Sequence, residues 1–137
     1  MKIIITGSLG NVSKPLVNDL LEKGHRVTLI TSDPEKRNEI EASGATAAIG
    51  SVEDADFLSS AFVGNDALYA MLPPNFKTAD SRAFYQKVGK NYARAIKSSG
   101  IKRVVHLSSW GADLDSGTGF ILGSHDVEQL LNALPDI

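Results

Sequence analysis

The chain has 137 residues, 42% of them hydrophobic, with 14 Lys and Arg against 16 Asp and Glu and no cysteine. That length suits a single domain with one core, and a net charge of −2 scattered along the chain argues against nucleic acid or an anionic membrane as the main partner. Disulfides and thiol catalysis are excluded, and no segment approaches the ~20 apolar residues of a membrane span, so a cytoplasmic protein is expected.

In chain order, the first predicted element is an apolar strand, Lys2–Thr6. It runs into a glycine-bearing turn and then an amphipathic stretch whose stripe is Val12, Leu16, Val17, Leu20 and Leu21, stopped by Gly24. A second strand, Arg26–Ile30, precedes a helix over Pro34–Ser43, with Asp33 as cap and Pro34 in the first helical position. Thr46–Ile49 reads as the third strand, Asp54–Ala61 as a short helix, and Ala67–Met71 as the fourth strand. The longest helix is predicted over Ser81–Ser98, with Phe84, Val88, Tyr92, Ala95 and Ile96 on one side. Strand five, Arg103–Leu107, and a helix over Ser124–Asn132 carrying Val127, Leu130 and Leu131 complete the chain. Near-continuous apolar strands separated by helices predict a parallel sheet buried on both faces. Right-handed crossovers with a reversal after the third strand predict a doubly wound α/β (Rossmann) fold in the order 3-2-1-4-5.

The turn after the first strand is "TGSLGNVS". Gly7 permits a sharp exit from the strand, and Gly10 lets the backbone approach a pyrophosphate with no Cβ in between. The amides that open the next helix then face the anion, aided by the helix dipole. Ser13 holds the third place of this GxxGxxG pattern, where a small residue serves helix–strand packing. A glycine pair is a common turn device, but its place between the first strand and an amphipathic helix points to a phosphate cradle. The candidate contacts are the backbone of Gly7, Ser8, Leu9, Gly10, Asn11 and Val12.

The stretch "KIIITGSLGNVSKPLVNDLLEKGHRVTLITSDPEK" resembles the N-terminus of the NmrA-like group of atypical short-chain dehydrogenases/reductases. "GSVEDADFLSSAFVGND" resembles that group's third unit, with Ser51 where the group often has Asp. "RVVHLSSWGAD" and "HDVEQLLN" resemble its fifth strand and following helix. The resemblance implies an NAD(P)H-binding oxidoreductase domain, acting on quinones or other small carbonyl compounds. It departs from the wider superfamily in lacking Tyr-x-x-x-Lys: Tyr69, Tyr85 and Tyr92 are followed four places on by Pro73, Gly89 and Ile96. Members of the group are also considerably longer, and their later segments build most of the substrate pocket. The expectation is therefore that residues 1–137 form the NAD(P)-binding half, without the C-terminal substrate-binding portion. A fifth strand left as an apolar edge, with Trp110, Phe120, Ile121 and Leu122 beyond it, is then expected to pair with a second copy or a further segment.

An NAD-preferring site of this type usually holds the ribose 2′-hydroxyl with an acidic residue about 20 residues past the glycines. By resemblance that slot is Thr31, followed by Ser32. Asp33 is read as a helix cap, and Ser32 with Lys36 or Arg37 is expected to hold a 2′-phosphate, favouring NADP over NAD. Ser51 is placed beside the adenine, and Met71, Leu72 and Pro73 at the nicotinamide-side ribose. For chemistry the candidates are Ser108 and Ser109 at the end of strand five and His125 at the start of the last helix. His25 and His106 are assigned structural roles, the latter within a buried strand. No spacing suits a metal, and no Ser-His-Asp order suggests a hydrolase. Two other functions share the fold: a non-enzymatic dinucleotide sensor acting through a protein partner, and a flavodoxin-like binding domain, which would need a phosphate loop richer in Ser and Thr.

Overall fold

Ile3, Ile4 and Ile5 present no polar side chain to either face, so β1 (Lys2–Ile5) is stable only between two layers, and it holds the centre of the sheet. The computed structural model describes all 137 residues, Met1–Ile137. Around β1 lie β2 (Arg26–Thr31), β3 (Thr46–Ile49), β4 (Ala67–Met71) and β5 (Arg103–Leu107). All neighbours pair in parallel, in the expected order β3-β2-β1-β4-β5.

The helices divide between the two faces. Ile3, Ile5, Val27 and Leu29 pack against Val17 of α1 (Ser13–Glu22) and Ile40 of α2 (Arg37–Ala42). Ile4, Ile30, Leu68 and Ala70 face α3 (Ala55–Phe62), α4 (Ser81–Ser99) and α5 (Leu122–Asn132). The second core is the larger because α4 buries five apolar side chains at helical spacing, Phe84, Val88, Tyr92, Ala95 and Ile96. Asp80 caps this helix by accepting from the Ala83 amide at 2.9 Å.

Two glycines set the α4–α5 distance. A Cβ on Gly89 would sit 2.9 Å from Val127 Cγ2, and one on Gly123 would sit 2.8 Å from Tyr85 Cβ. At the rim of the same pair Arg82 grips Asp126 through two bonds of 2.7 and 2.9 Å, and Gln86 adds a third at 2.7 Å. The Arg82 hydrogen bonds hold the Asp126 carboxyl below its ordinary value of 3.8.

Several boundaries differ from the sequence expectation. β1 ends at Ile5, so Thr6 is free for side-chain bonding, while β2 runs on to Thr31. α1 starts at Ser13, which leaves Val12 outside the apolar stripe and 47% exposed. The segment after Asp33 is a 3₁₀ turn, Pro34–Lys36, followed by the short α2. α3 spans Ala55–Phe62 with Asp54 as its cap, α4 runs on to Ser99, and α5 begins earlier than expected, at Leu122. The largest correction concerns β5, which is not buried on both faces. Val105 is 64% and Leu107 42% exposed, because α1 and α2 cover only the β1–β3 side of that face.

Candidate functional site

The end of β1 is fastened to the end of β4. Thr6 Oγ1 donates to the Met71 carbonyl at 2.8 Å, and accepts from the Met71 amide at 2.7 Å. The buried Tyr92 hydroxyl donates to the same carbonyl at 2.8 Å, and burial raises its pKa well above the usual tyrosine range. Tyr92 is thus a structural bolt of α4 rather than a proton donor.

From this anchor the chain turns sharply. Gly7 has φ +102°, a conformation that favours glycine, and the flexible Met71 methyl fills the space beside its bare Cα. Ser8 also has positive φ, +55°, uncommon for a side-chain-bearing residue. It is held there by its amide, which donates to Ile30 O at 3.1 Å, and by its hydroxyl, which donates to Thr31 Oγ1 at 3.1 Å. The next five amides, Leu9 to Ser13, donate to no group in the chain; the first bonded one is Lys14, to Gly10 O at 3.0 Å. Gly10 is different from Gly7: its φ is not positive, and an added Cβ would meet only Gly7 O, at an ordinary 3.5 Å. The fold does not require glycine there; the bare Cα leaves room for a ligand to approach the free amides.

The loop opens onto a cleft of about 280 Å³ at the carboxyl ends of β1, β2 and β3. Gly7, Ser8, Ser32, Lys36, Ser51 and Pro73 line it, with Thr31, Asp33, Gly50 and Glu53. Leu9, Gly10, Asn11 and Val12 carry the free amides onward from Ser8 and are not part of its wall. Most side-chain polar groups here are already engaged. Thr31 is buried and also accepts from the Asp33 amide at 3.2 Å, Asp33 accepts from the Glu35 amide at 3.0 Å, and Ser51 from the Glu53 amide at 3.1 Å. Glu53 pairs with Lys87 at 3.1 Å. Lys36 is the cationic side chain on the wall and has no carboxylate partner, while Arg37 is turned to Glu41 at 3.3 Å. α4 supports the far wall, with Asn91 donating to Val52 O at 3.1 Å.

Met71 and Leu72 line a second cavity, of about 290 Å³, beyond the ends of β4 and β5. Pro74 is on the wall of both cavities. Ser108, Ser109, Ser124, Tyr85 and Phe120 complete the second one with His106. The two serines predicted from sequence are brought together here, but His125 is not: its Nδ1 lies 2.8 Å from Ala112 O, away from the cavity wall. His106, assigned a structural role in a buried strand, lies on a half-exposed β5 and borders the cavity. Burial lowers its pKa, against the opposing pull of the Ala70 hydrogen bond and of Glu128 on α5. The available signal was a lone polar residue two places before Ser108, hence on the same face of the strand. No group of three or more His, Asp or Glu side chains is placed to hold a metal.

A doubly wound parallel sheet with free amides at its first βα turn, beside the point where strand order reverses, defines a dinucleotide-binding domain. A family profile described as NAD(P)H-binding matches residues 7–133, and the chain belongs to that family. Among curated proteins, it is 31% identical over 101 residues to an uncharacterized protein of Schizosaccharomyces pombe, covering 73% of this chain and 32% of that protein. Among solved structures it is similar to the triphenylmethane reductase of a Citrobacter species, with a TM-score of 0.85 at 18% identity, over 99% of this chain and 46% of that one. It is also similar to an NADPH-dependent quinone oxidoreductase of Escherichia coli solved with NADPH, with a TM-score of 0.76 at 24% identity, over 95% of this chain and 44% of that one. These structural likenesses establish the fold, and they accord with the resemblance to atypical short-chain dehydrogenases/reductases. The chain spans about a third of the length of the yeast protein and less than half of the two reductases.

The residues present fit the cofactor. The free amides and the bare Cα of Gly10 suit a pyrophosphate, and the adjoining cleft runs from Gly7 and Ser8 to Lys36.

Proposed function

We propose that this domain binds NADPH in preference to NADH and serves as the cofactor half of a reductase for quinones or other small carbonyl compounds. The observation that carries the cofactor preference is Lys36, an unpartnered cation on the cleft wall beside Ser32, where the neighbouring carboxylates of Asp33 and Glu53 are already engaged. A 2′-phosphate there accepts from the Ser32 hydroxyl and the Lys36 ammonium.

The nicotinamide supplies the hydride, and the protein supplies position. The amides of Leu9 to Ser13 bind the pyrophosphate, and the bolt from Thr6 and Tyr92 to Met71 fixes the distance from that loop to the β4 exit. Pro73 and Pro74 stiffen the exit and carry no N–H that would need a partner. Ser108 and Ser109 orient the substrate oxygen from the second cavity, next to the cleft. The likeness in fold to a quinone reductase and a dye reductase supports this chemistry. The test is NADPH oxidation by the full-length protein with a panel of quinones and aldehydes. The expected result is turnover with NADPH and markedly slower turnover with NADH. NADPH binding with no turnover on any member of the panel would overturn the reductase reading in favour of a dinucleotide sensor.

A further inference from the structure

Two buried polar atoms at the end of β5 have no hydrogen-bond partner, His106 Nε2 and Ser108 Oγ, and both residues line the second cavity. Proteins keep few such atoms, and a pair on one wall calls for a reason. Ser108 follows directly on β5 and lies two residues from His106, and both side chains reach the same cavity.

Their chemistry is defined by what surrounds them. His106 Nδ1 lies 3.0 Å from the Ala70 carbonyl, which only accepts, so Nδ1 carries the proton and Nε2 presents a lone pair. The Ser108 hydroxyl donates or accepts. Together they match a group with one donor and one acceptor on the same atom, a hydroxyl. A quinone or ketone oxygen, which only accepts, engages Ser108 and leaves His106 unpaired. Most of the rest of the wall is apolar or aromatic, Met71, Leu72, Pro74, Tyr85, Leu107 and Phe120, with the hydroxyls of Ser109 and Ser124 as its other polar groups. Phe120, on the same wall, is 76% exposed, so its ring can move on the side-chain timescale.

We infer that His106 and Ser108 form the polar anchor of the second cavity for a small hydroxylated ring, the reduced partner of a quinone or carbonyl compound. The identity of the ligand as a reduced partner rests on the reductase reading above; the hydroxyl preference rests on the two unpaired atoms.

The test follows the imidazole nitrogens of His106 by NMR in the NADP⁺-loaded protein during titration with hydroquinone and, separately, with its dimethyl ether. Hydroquinone is expected to shift the Nε2 signal and to bind at least ~10-fold more tightly than the ether, the worth of one buried hydrogen bond. His106→Phe should erase that preference, and Ser108→Ala should weaken it without disturbing the tautomer of His106. If the phenylalanine variant fails to fold, the wild-type titration and Ser108→Ala still decide. Equal binding of the two probes, a ligand-free Nε2 that carries the proton, or displacement of hydroquinone by NADP⁺ would each overturn the anchor. Failure of NADPH to bind would instead overturn the reductase reading, with a surviving hydroquinone preference supporting the anchor.

Discussion

The two cavities at the carboxyl ends of the strands are nearly equal in volume, about 280 and 290 Å³, yet they are built in opposite ways. Beside β1 and β2 most side-chain polar groups are spent inside the protein, and the free donors are main-chain amides from Leu9 to Ser13. Beside β4 and β5 the unpaired atoms belong to side chains, His106 Nε2 and Ser108 Oγ. A site that binds through its backbone needs only the right turn and no obstructing Cβ, so it suits a ligand common to many proteins. A site that binds through side chains changes with each substitution, and suits the part of the reaction that differs between them.

The largest expected effect falls where the first site does use side chains. Ser32→Asp places a carboxylate against the 2′-phosphate and removes a donor, which should weaken NADPH by about 2 kcal/mol, roughly 30-fold, and leave NADH nearly unchanged. Fluorescence titration with both nucleotides measures this. Equal affinities for the two in the parent protein would show that Ser32 and Lys36 are ordinary surface residues.

A smaller effect tests the internal wiring of the cleft. Thr31→Val removes the acceptor for both the Ser8 hydroxyl and the Asp33 amide. About 1 to 2 kcal/mol of stability should be lost, together with several-fold in dinucleotide affinity, as Ser8 is released from its positive φ. Reduced stability in a melting experiment with unchanged nucleotide affinity would mean that the Thr31 tether does not shape the loop.

The smallest effect belongs to the second cavity. The folded state lowers the His106 pKa below its ordinary 6.5, so between those two values the unfolded chain binds more protons. Stability should therefore rise with pH through that window and level off above 6.5. Glu128, on the packed face of α5, moderates the slope by favouring the charged imidazole. Asp126 acts in a separate range, since its contribution is lost only as pH falls below 3.8. Melting curves of the parent and His106→Phe across pH 5 to 8 should differ in slope; parallel curves would place the imidazole in water.

The same contrast explains what was legible in the sequence. The strand order and every strand's position followed from apolar runs and helical spacing, because a parallel sheet must hide both faces. The Gly7 and Gly10 pair was readable as a backbone device, from its place between the first strand and the first helix. β5 misled because "RVVHL" is apolar throughout, and only the tertiary arrangement shows that one face lacks a covering helix. Val12 fits the α1 period but falls in the turn as the residue before the helix, 47% exposed, and the amides around it are left unpaired as at any helix start. Arg37 and Lys36 are indistinguishable in sequence; the 3₁₀ turn aims one at the cleft and leaves the other to Glu41. His106 was hidden because its meaning depends on an unpaired nitrogen, which no spacing reveals.

The central claim, that the main chain after Ser8 is the pyrophosphate site, is tested most directly at Gly10, where the fold tolerates a side chain and the ligand does not. Calorimetric titration of Gly10→Val with NADPH, alongside a melting curve, separates the two. The account predicts a melting temperature within a few degrees of the parent, as for a surface change costing roughly 0.5 kcal/mol or less, and dinucleotide binding weakened at least ~10-fold. A folded Gly10→Val protein that binds NADPH as tightly as the parent would contradict it.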